Sequence, residues 1–351
     1  MPETAQTTQT DKPPLTVLLA APRGFCAGVT RAIHAVEHAL DRFGKPVYVR
    51  HEIVHNRRVV RNLADKGAVF ISELREAPPD SPVITSAHGI ARAVADDARA
   101  RGLLHIDATC PLVEKVHSEV RRHIARDRQV ILVGHRDHPE VTGTLGQAPA
   151  GRVLLVETKA DCRAVTPDDP ARLAWATQTT LSVGDTAEMI RILESRFPEI
   201  QGPKKSDICY ATENRQNAVA AAAPECELFL VIGSANSSNS QRLVEVARAA
   251  GCPRSLRIDG AGELPPPRDL EGVRTLGLTA GASAPEELVR EVLDALARDF
   301  SLTTEERQVA EERIHFQPPR VLRQNTRAGD GNGDSRGGGE GVGDSDSDGE
   351  G

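Results

Sequence analysis

Three cysteines stand at matching positions along this 351-residue sequence. Cys26, Cys110 and Cys209 are about 80 to 100 residues apart, and each follows an apolar run and precedes a helical pattern. Thiolates are good ligands for zinc and for iron–sulfur clusters. A [4Fe–4S] cluster usually has four cysteine ligands, so three would leave one iron without a protein ligand. The spacing predicts one such cluster per chain, with a three-cysteine zinc site as the alternative. The other cysteines lack matching positions, and we expect them to be buried and inert: Cys162, Cys226 and Cys252.

Two series of polar residues follow other apolar runs with nearly the same spacing. The first series is His55, His138 and Asn239, and the second is His88, Thr179 and Ser283. In open parallel sheets, ligands bind beyond the carboxyl ends of the strands. The cysteines and these two series therefore predict a single central cavity, lined by residues from three similar lobes.

The polar turn at residues 237–240 (Ser-Ser-Asn-Ser) precedes a helical pattern and can present N–H groups and hydroxyls to an anion. Together with His55 and His88, it predicts a phosphate or diphosphate pocket. Ser283 begins Ser-Ala-Pro-Glu, so it contacts the phosphate, forms a capping box with Glu286, or does both. The sequence has no Gly-x-x-x-x-Gly-Lys loop and no dinucleotide fingerprint, so ATP and NAD are not indicated.

Glu140 is the candidate proton donor, because a carboxyl group beside the metal can donate a proton once burial raises its pKa. Thr179 could relay that proton. The alternative is structural, since Glu140 directly follows Pro139 and both residue types are common in a first helical turn.

The segment His51–His55 (HEIVH) matches the zincin motif. That chemistry requires a helix, so that both histidines share one face. The surrounding sequence, VYVRHEIVHN, is rich in β-branched residues and favours a strand followed by a turn. A zincin site is therefore not indicated.

The elements that must position these residues are short Val/Leu/Ile runs alternating with helical patterns, which predicts an α/β fold. We expect three lobes with mostly parallel sheets around a pseudo-threefold axis, and the cluster in the central cavity. The predicted lobes are residues 15–105, 106–205 and 206–300, with a segment at 301–323 that packs back on the core.

The two ends of the chain differ from this core in composition. Residues 1–14 are polar, and residues 324–351 are rich in Gly, Asp and Ser, so we expect disorder in both. The N-terminus does not resemble a secretory signal, no apolar run is long enough to span a membrane, and no broad basic surface suggests nucleic acid. We expect a cytoplasmic protein that is a monomer or a weak homodimer.

Nine stretches of the sequence resemble one enzyme family. They are PRGFCAGV, YVRHEIVHN, SAHG, DATCPLV, GHRDHPEV, TQTTLSV, DICYAT with NRQ, GSANSSNS and TAGASAP, and they extend from about residue 15 to 322. Together they are similar to the 4-hydroxy-3-methylbut-2-enyl diphosphate reductases of the non-mevalonate isoprenoid pathway. The resemblance implies reductive dehydroxylation of that allylic diphosphate to isopentenyl and dimethylallyl diphosphate.

The resemblance also implies the roles of individual residues. Cys26, Cys110 and Cys209 would bind the [4Fe–4S] cluster, and Glu140 would deliver protons with help from Thr179 and His138. The residues that would line the substrate site are His55, His88, His138, Thr179, Ser237, Ser238, Asn239 and Ser283. The sequence has no flavin or NAD motif, so we expect an external electron donor, ferredoxin or flavodoxin. The alternative function is an iron–sulfur sensor that binds a phosphorylated metabolite without turnover.

Overall fold

The computed structural model describes residues 12–323. The predicted disordered tail at 324–351 and the first eleven residues of the predicted N-terminal extension lie outside the described residues. The described part is an α/β fold with three sheets, and every pairing between neighbouring strands is parallel.

The strands and helices alternate along the chain. The strands are β1 (Pro14–Ala21), β2 (Val47–Arg50), β3 (Ala68–Ile71), β4 (Pro82–Thr85), β5 (Leu104–Asp107), β6 (Gln129–Val133), β7 (Val153–Val156), β8 (Leu173–Thr177), β9 (Leu228–Ile232), β10 (Ser255–Ile258), β11 (Thr275–Ala280) and β12 (Ser301–Gln308). The α-helices are α1 (Ala27–Phe43), α2 (Arg57–Lys66), α3 (Arg92–Ala100), α4 (Pro111–Ile124), α5 (Pro139–Leu145), α6 (Lys159–Ala164), α7 (Val183–Arg196), α8 (Tyr210–Ala222), α9 (Ser238–Ala249) and α10 (Glu286–Asp299).

The three sheets share one strand pattern. The first sheet has the order β3-β2-β4-β5, the second β7-β6-β8, and the third β10-β9-β11-β1-β12. In each sheet, the second strand leads to a residue of the His55 series and the third strand leads to a residue of the His88 series. A parallel sheet brings these strand ends to one edge. The three sheets therefore carry equivalent polar loops at their carboxyl edges.

The first strand and the helix that follows it pack in different lobes. β1 lies between β11 and β12 in the third sheet, whereas α1 packs on the first sheet through buried residues such as Ala32 and Val36. The lobe boundaries predicted from the sequence placed both elements in the first lobe (residues 15–105), because they are adjacent along the chain. β1 is apolar on both faces, with Val17 on one side and Leu18 on the other, and such a strand is stable only inside a covered sheet.

Cys26 and Cys110 therefore each lie where the chain passes from one sheet to the next. Cys26 joins β1 of the third sheet to α1, and Cys110 joins β5 of the first sheet to α4, which packs on the second. Before Cys209, a single parallel bridge between Ala174 and Gln201 takes the place of a further strand of the second sheet.

The end of the described chain returns to the first lobe. Beyond β12, Leu322 is buried in the core that α1 forms with the first sheet. Arg42 of α1 donates a hydrogen bond to the carbonyl of Val321 at 2.7 Å. Within residues 12–323, no helix is both long and apolar enough to cross a membrane.

Candidate functional site

All twelve residues predicted for the site line one cavity between the three sheets. The cavity contains about 700 Å³ of space free of protein atoms, its open mouth included. Its lining comprises Cys26, His55, His88, Cys110, His138, Glu140, Thr179, Cys209, Ser237, Ser238, Asn239 and Ser283, together with neighbouring small and apolar residues. The cysteines are partly accessible to this space, whereas Cys162, Cys226 and Cys252 are buried elsewhere.

Each of the three site cysteines is the residue that immediately precedes a helix. Cys26 is the N-cap of α1, Cys110 of α4 and Cys209 of α8. The positive end of a helix dipole favours the thiolate form of a cysteine. This common position directs three sulfurs and three helix N-termini at the same cavity.

Backbone hydrogen bonds fix each cysteine against a polar loop. The N–H of Cys26 donates to the Ala282 carbonyl at 3.2 Å, and that of Cys110 donates to the Ala87 carbonyl at 2.9 Å. The N–H of Cys209 donates to the Thr179 carbonyl at 3.1 Å. These acceptors lie at or next to Ser283, His88 and Thr179, which is the second polar series. The repeat in the sequence therefore corresponds to a repeat of contacts.

The space beside the sulfurs suits a compact group bound by several cysteines. A methyl group added to Gly28 would lie 2.6 Å from the Cys110 sulfur and 3.8 Å from the Cys26 sulfur. Only a hydrogen fits there, so the glycine keeps the space between these sulfurs open. Three thiolates are a donor set typical of iron–sulfur clusters.

No site for a single metal ion is preformed among the described side chains. Zinc binds its ligands at about 2.0–2.3 Å, so the ligand atoms must gather around one point. Within residues 12–323, no group of three or more His, Cys, Asp or Glu side chains is arranged in that way. The cysteines therefore share a cavity without forming a single-ion site.

Burial disfavours the charged form of two of the cysteines. It raises the pKa of the Cys110 thiol to about 12 and that of Cys209 to about 11, and the nearby Cys26 contributes to both shifts. The sulfur of Cys209 accepts a hydrogen bond from the backbone N–H of Thr212 at 3.3 Å, and it shares a second hydrogen bond with the Thr212 hydroxyl at 3.0 Å. Metal coordination deprotonates a thiol outright, so a bound metal group would supply the positive charge that this site lacks.

Glu140 is fully enclosed and only 2 % exposed. One carboxylate oxygen accepts the backbone N–H of Thr179 at 2.6 Å, and the other accepts the Thr179 hydroxyl at 3.0 Å. Burial raises the pKa of Glu140 to about 7, although the hydrogen bonds from Thr179 oppose the shift. The residue can therefore hold or release a proton near neutral pH.

Three histidine rings lie close together in the lining of the cavity. The rings of His55 and His88 stack with centroids 4.0 Å apart, and His138 approaches both edge-on at 5.7 and 5.9 Å. The Nδ1 of His138 accepts the backbone N–H of Glu140 at 3.2 Å. Burial lowers the pKa of His138 to about 3, so the ring is neutral, and its single proton is on Nε2. His138 therefore presents an N–H donor.

Several polar atoms in the cavity lack a partner among the described residues. They are the Nε2 of His55 and both side-chain amide atoms of Asn239. A buried polar group without a hydrogen bond costs about 1–3 kcal/mol. These polar groups line one cavity and have no hydrogen-bond partner in the described protein. Their arrangement indicates that a polar ligand supplies the missing hydrogen bonds.

His55 is held from behind by two residues. Its Nδ1 lies 3.1 Å from a carboxylate oxygen of Glu52, and the amide of Asn236 lies 2.8 Å from that oxygen and 3.2 Å from the Nδ1. The segment that contains Glu52 and His55 is a loop between β2 and α2, not a helix. It therefore lacks the geometry of a zincin.

The capping box expected at Ser283 is absent. Helix α10 begins at Glu286 with Pro285 as its N-cap, and Ser283 lies too far before it to act as a cap. The Ser283 hydroxyl donates instead to the carbonyl of His55 at 2.9 Å, and Glu286 pairs with Arg23 at 2.7 Å. Ser283 therefore connects the third lobe to the loop that carries His55.

The comparisons with known proteins agree on one family. The model of the LytB protein family matches residues 17–297. This chain belongs to the LytB protein family. A protein of Gluconobacter oxydans is 58% identical over 88% of this chain and 93% of its own length, and one of Roseobacter denitrificans is 56% identical over 89% and 99%. Both are named 4-hydroxy-3-methylbut-2-enyl diphosphate reductase.

Two solved structures resemble this LytB family member over most of its length. The Plasmodium falciparum reductase has a TM-score of 0.82 at 35% identity, covering 89% of this chain and 97% of its own. A second (E)-4-hydroxy-3-methyl-but-2-enyl diphosphate reductase has a TM-score of 0.58 at 32% identity, covering 81% and 99%. The family membership that the sequence motifs predicted is therefore confirmed, as is the α/β fold with parallel sheets.

Sequence reasoning missed several residues of the LytB site. Gly28 was overlooked because a glycine in a helical pattern gives no sign of which sulfur it faces. Thr212 and Asn236 were overlooked because each acts on a neighbouring residue and does not point to a ligand of its own. Glu52 was considered only as part of a zincin motif. The roles assigned to the twelve predicted residues stay predictions.

Proposed function

We propose that this chain is a 4-hydroxy-3-methylbut-2-enyl diphosphate reductase that uses a [4Fe–4S] cluster held by Cys26, Cys110 and Cys209. The observation that supports this most strongly is the convergence of three helix-capping cysteines, one buried carboxyl group and several unpaired polar groups on one cavity. Membership of the LytB family adds the substrate class, because the relatives are named for it.

The reaction replaces an allylic C–OH bond by C–H. It consumes two electrons and two protons and releases one molecule of water. When bound, a cluster held by three cysteines supplies those electrons one at a time and offers one iron without a protein ligand as a Lewis acid. A ferredoxin- or flavodoxin-like partner would deliver the electrons, and the three lobes would surround the cluster about a pseudo-threefold axis.

The diphosphate would bind to the polar residues of the cavity lining. Ser237, Ser238 and Asn239 line this cavity at the N-terminus of α9. Helix N-termini and neutral N–H donors suit a polyanion. The unpaired Nε2 of His55 and the Nε2–H of His138 add two ring nitrogens. These groups would orient the substrate so that its hydroxyl lies near the cysteines.

Glu140 would supply the proton that converts the departing hydroxyl into water. Its pKa of about 7 leaves a substantial protonated fraction at neutral pH. The Thr179 hydroxyl lies 3.0 Å from the carboxyl group and faces the same cavity, so it can pass that proton on. General acid catalysis of this kind typically contributes about 10²- to 10⁴-fold.

The test combines composition and turnover on one sample. The protein is reconstituted anaerobically with iron and sulfide, both elements are assayed, and 4-hydroxy-3-methylbut-2-enyl diphosphate is added with a low-potential reductant. We expect about four irons and four sulfides per chain and formation of both isomeric diphosphates. A protein that stays colourless after reconstitution, or that binds the cluster but forms no product, would contradict the proposal. The second result would favour a sensor.

A further inference from the structure

Each of the three helices that follow a site cysteine carries a cation near its first turns, and each cation reaches a different cysteine segment. On α1, Arg31 lies five residues after Cys26. Its Nη1 donates to the carbonyl of Thr109, the residue before Cys110, at 2.9 Å. Its Nε donates to the carbonyl of Gln317 at 2.8 Å. Arg31 therefore links the Cys26 helix to the Cys110 segment.

The second cation links the Cys110 helix to the Cys209 segment. On α4, Lys115 lies five residues after Cys110. Its ammonium group donates to the carbonyls of Lys205 at 2.8 Å and Ser206 at 2.9 Å, and to the Asp207 carboxylate at 2.9 Å. These acceptors lie two to four residues before Cys209. The carboxylate of Asp207 in turn accepts the backbone N–H of Thr177 at the end of β8.

The third cation closes the cycle. On α8, Arg215 lies six residues after Cys209 and is 0% exposed. Its Nη2 and Nε donate to the carbonyl of Gly24, two residues before Cys26, at 2.7 and 3.2 Å. Its Nη1 pairs with Glu312 at 2.9 Å. The three links therefore run from Cys26 to Cys110, from Cys110 to Cys209, and from Cys209 back to Cys26.

We propose that Arg31, Lys115 and Arg215 are positioning residues that hold the three cysteine segments at the mutual spacing required by a multi-iron cluster. This inference rests on the proposed function. The three cysteines come from junctions between different sheets, so the spacing between them depends on contacts between the lobes. Each cation donates hydrogen bonds to at least one backbone carbonyl within four residues of another site cysteine. A change in the position of one lobe would therefore lengthen these hydrogen bonds.

The alternative is that these are ordinary contacts that stabilise lobe packing. The two explanations differ in what is lost when a cation is removed. A packing contact would lower the melting temperature without a specific effect on iron retention. A positioning contact would speed iron loss from a protein that stays folded, because a cluster dissociates once one ligand moves away.

Arg31 is the best residue for the test. Its two acceptors are backbone carbonyls, so Arg31→Met removes no carboxylate's partner, whereas changing Lys115 or Arg215 would remove the cationic partner of Asp207 or Glu312. Arg42→Met is the matched control, because Arg42 lies on the same helix and also donates to a carbonyl of the C-terminal segment, but it is in the last turn, at the opposite end of the helix from Cys26. Arg31→Lys keeps the charge and one donor group.

The cluster-loaded proteins are mixed anaerobically with a colorimetric iron chelator, and the rate of iron transfer is measured beside the thermal melting curve. We expect Arg31→Met to lose iron about tenfold faster than the wild type, since one lost hydrogen bond to a charged group corresponds to roughly that factor. Arg31→Lys should be intermediate, and Arg42→Met should match the wild type. The melting temperatures of Arg31→Met and Arg42→Met should agree.

Two results would overturn the inference. One is an iron-transfer rate for Arg31→Met equal to that of Arg42→Met while the wild type holds its cluster. The other is faster iron loss that appears only with an equally lowered melting temperature. Failure of the wild type to take up iron and sulfide is a different outcome, because it would overturn the proposed function as well.

Discussion

The carboxyl group of Glu140 is bound at both oxygens by a single residue, Thr179. The backbone N–H of Thr179 donates at 2.6 Å and its hydroxyl at 3.0 Å. Glu140 is in the first turn of α5 in the second lobe, and Thr179 follows β8 of the same lobe. Because the Thr179 carbonyl also accepts the N–H of Cys209, the carboxyl group has a fixed position relative to that cysteine.

Replacement of Glu140 by glutamine should remove the proton donor and keep the shape of the site. We expect turnover of Glu140→Gln to fall by about 10²- to 10⁴-fold, with iron and sulfide content unchanged. The measurement is product formation in single-turnover and steady-state assays. Turnover within a factor of about two of the wild type would remove Glu140 from the proton path.

The pH dependence of the wild type should reflect Glu140. The protonated form is the donor, and the pKa of about 7 means that this form is present below pH 7 and is lost as the pH rises above it. We therefore expect turnover at saturating substrate to decrease through about pH 7, and the residual turnover of Glu140→Gln to lack that step. A wild-type profile that is flat between pH 6 and about 8.5 would contradict this assignment.

Gly28 should be required for cluster binding. Alanine at this position would place a methyl carbon 2.6 Å from the Cys110 sulfur. Elsewhere in a helix, the same substitution stabilises by about 0.5–1 kcal/mol. Gly184→Ala is the control, since Gly184 is also in the first turn of a helix and has nothing within 4 Å of the added methyl. Gly28→Ala should bind less iron without unfolding, and normal iron content in this variant would show that the space between the sulfurs is not needed.

The cysteines should separate into two classes. Changing Cys209 to serine should strongly reduce cluster content, because it removes one of three ligands. Changing Cys162 to serine should leave cluster content normal, because that residue is buried in the core of the second lobe, away from the cavity. The measurement is iron and sulfide per folded chain. Loss of the cluster in Cys162→Ser would make our assignment of ligands wrong.

The sequence predicted the cavity well because repeated spacing is a property of the chain itself. A polar residue that directly follows a strand of a parallel sheet lies at the carboxyl edge of that sheet. Cys110 and Thr179 could therefore be placed without knowledge of the packing. The family motifs added roles that spacing alone does not provide.

The features that the sequence could not predict are mostly contacts between residues that are distant along the chain. Nothing in β1 shows that it pairs with β11 and β12, because a strand and the helix after it are usually packed together. The complete burial of Arg215 could not be predicted from the sequence either, since charged side chains are almost never fully buried unless they are paired, and its partners Gly24 and Glu312 are distant along the chain. Ser283 fitted a cap by its spacing to Glu286, but the helix begins later and the hydroxyl bonds to His55.

Glu52 should affect how tightly His55 binds the diphosphate of the substrate. The carboxylate lies 3.1 Å from the Nδ1 of His55, and this hydrogen bond is the main reason that the pKa of Glu52 is lowered. Glu52 and Asn236 hold the Nδ1 side of the ring, which leaves Nε2 as the ring nitrogen available to a ligand. Because the unpaired Nε2 faces the cavity, we expect Glu52→Gln to raise the substrate KM about tenfold while kcat changes little. The same variant should bind inorganic pyrophosphate more weakly.

Glu291→Gln is the control for Glu52→Gln. Its carboxylate is also surface-accessible and pairs with Arg58 at 3.0 Å, close to the same loop but outside the cavity. It should leave both constants unchanged. If Glu52→Gln instead lowers kcat at an unchanged KM, then Glu52 does not act through binding of the diphosphate. Equal constants for Glu52→Gln and the wild type would show that the His55 ring needs no carboxylate partner.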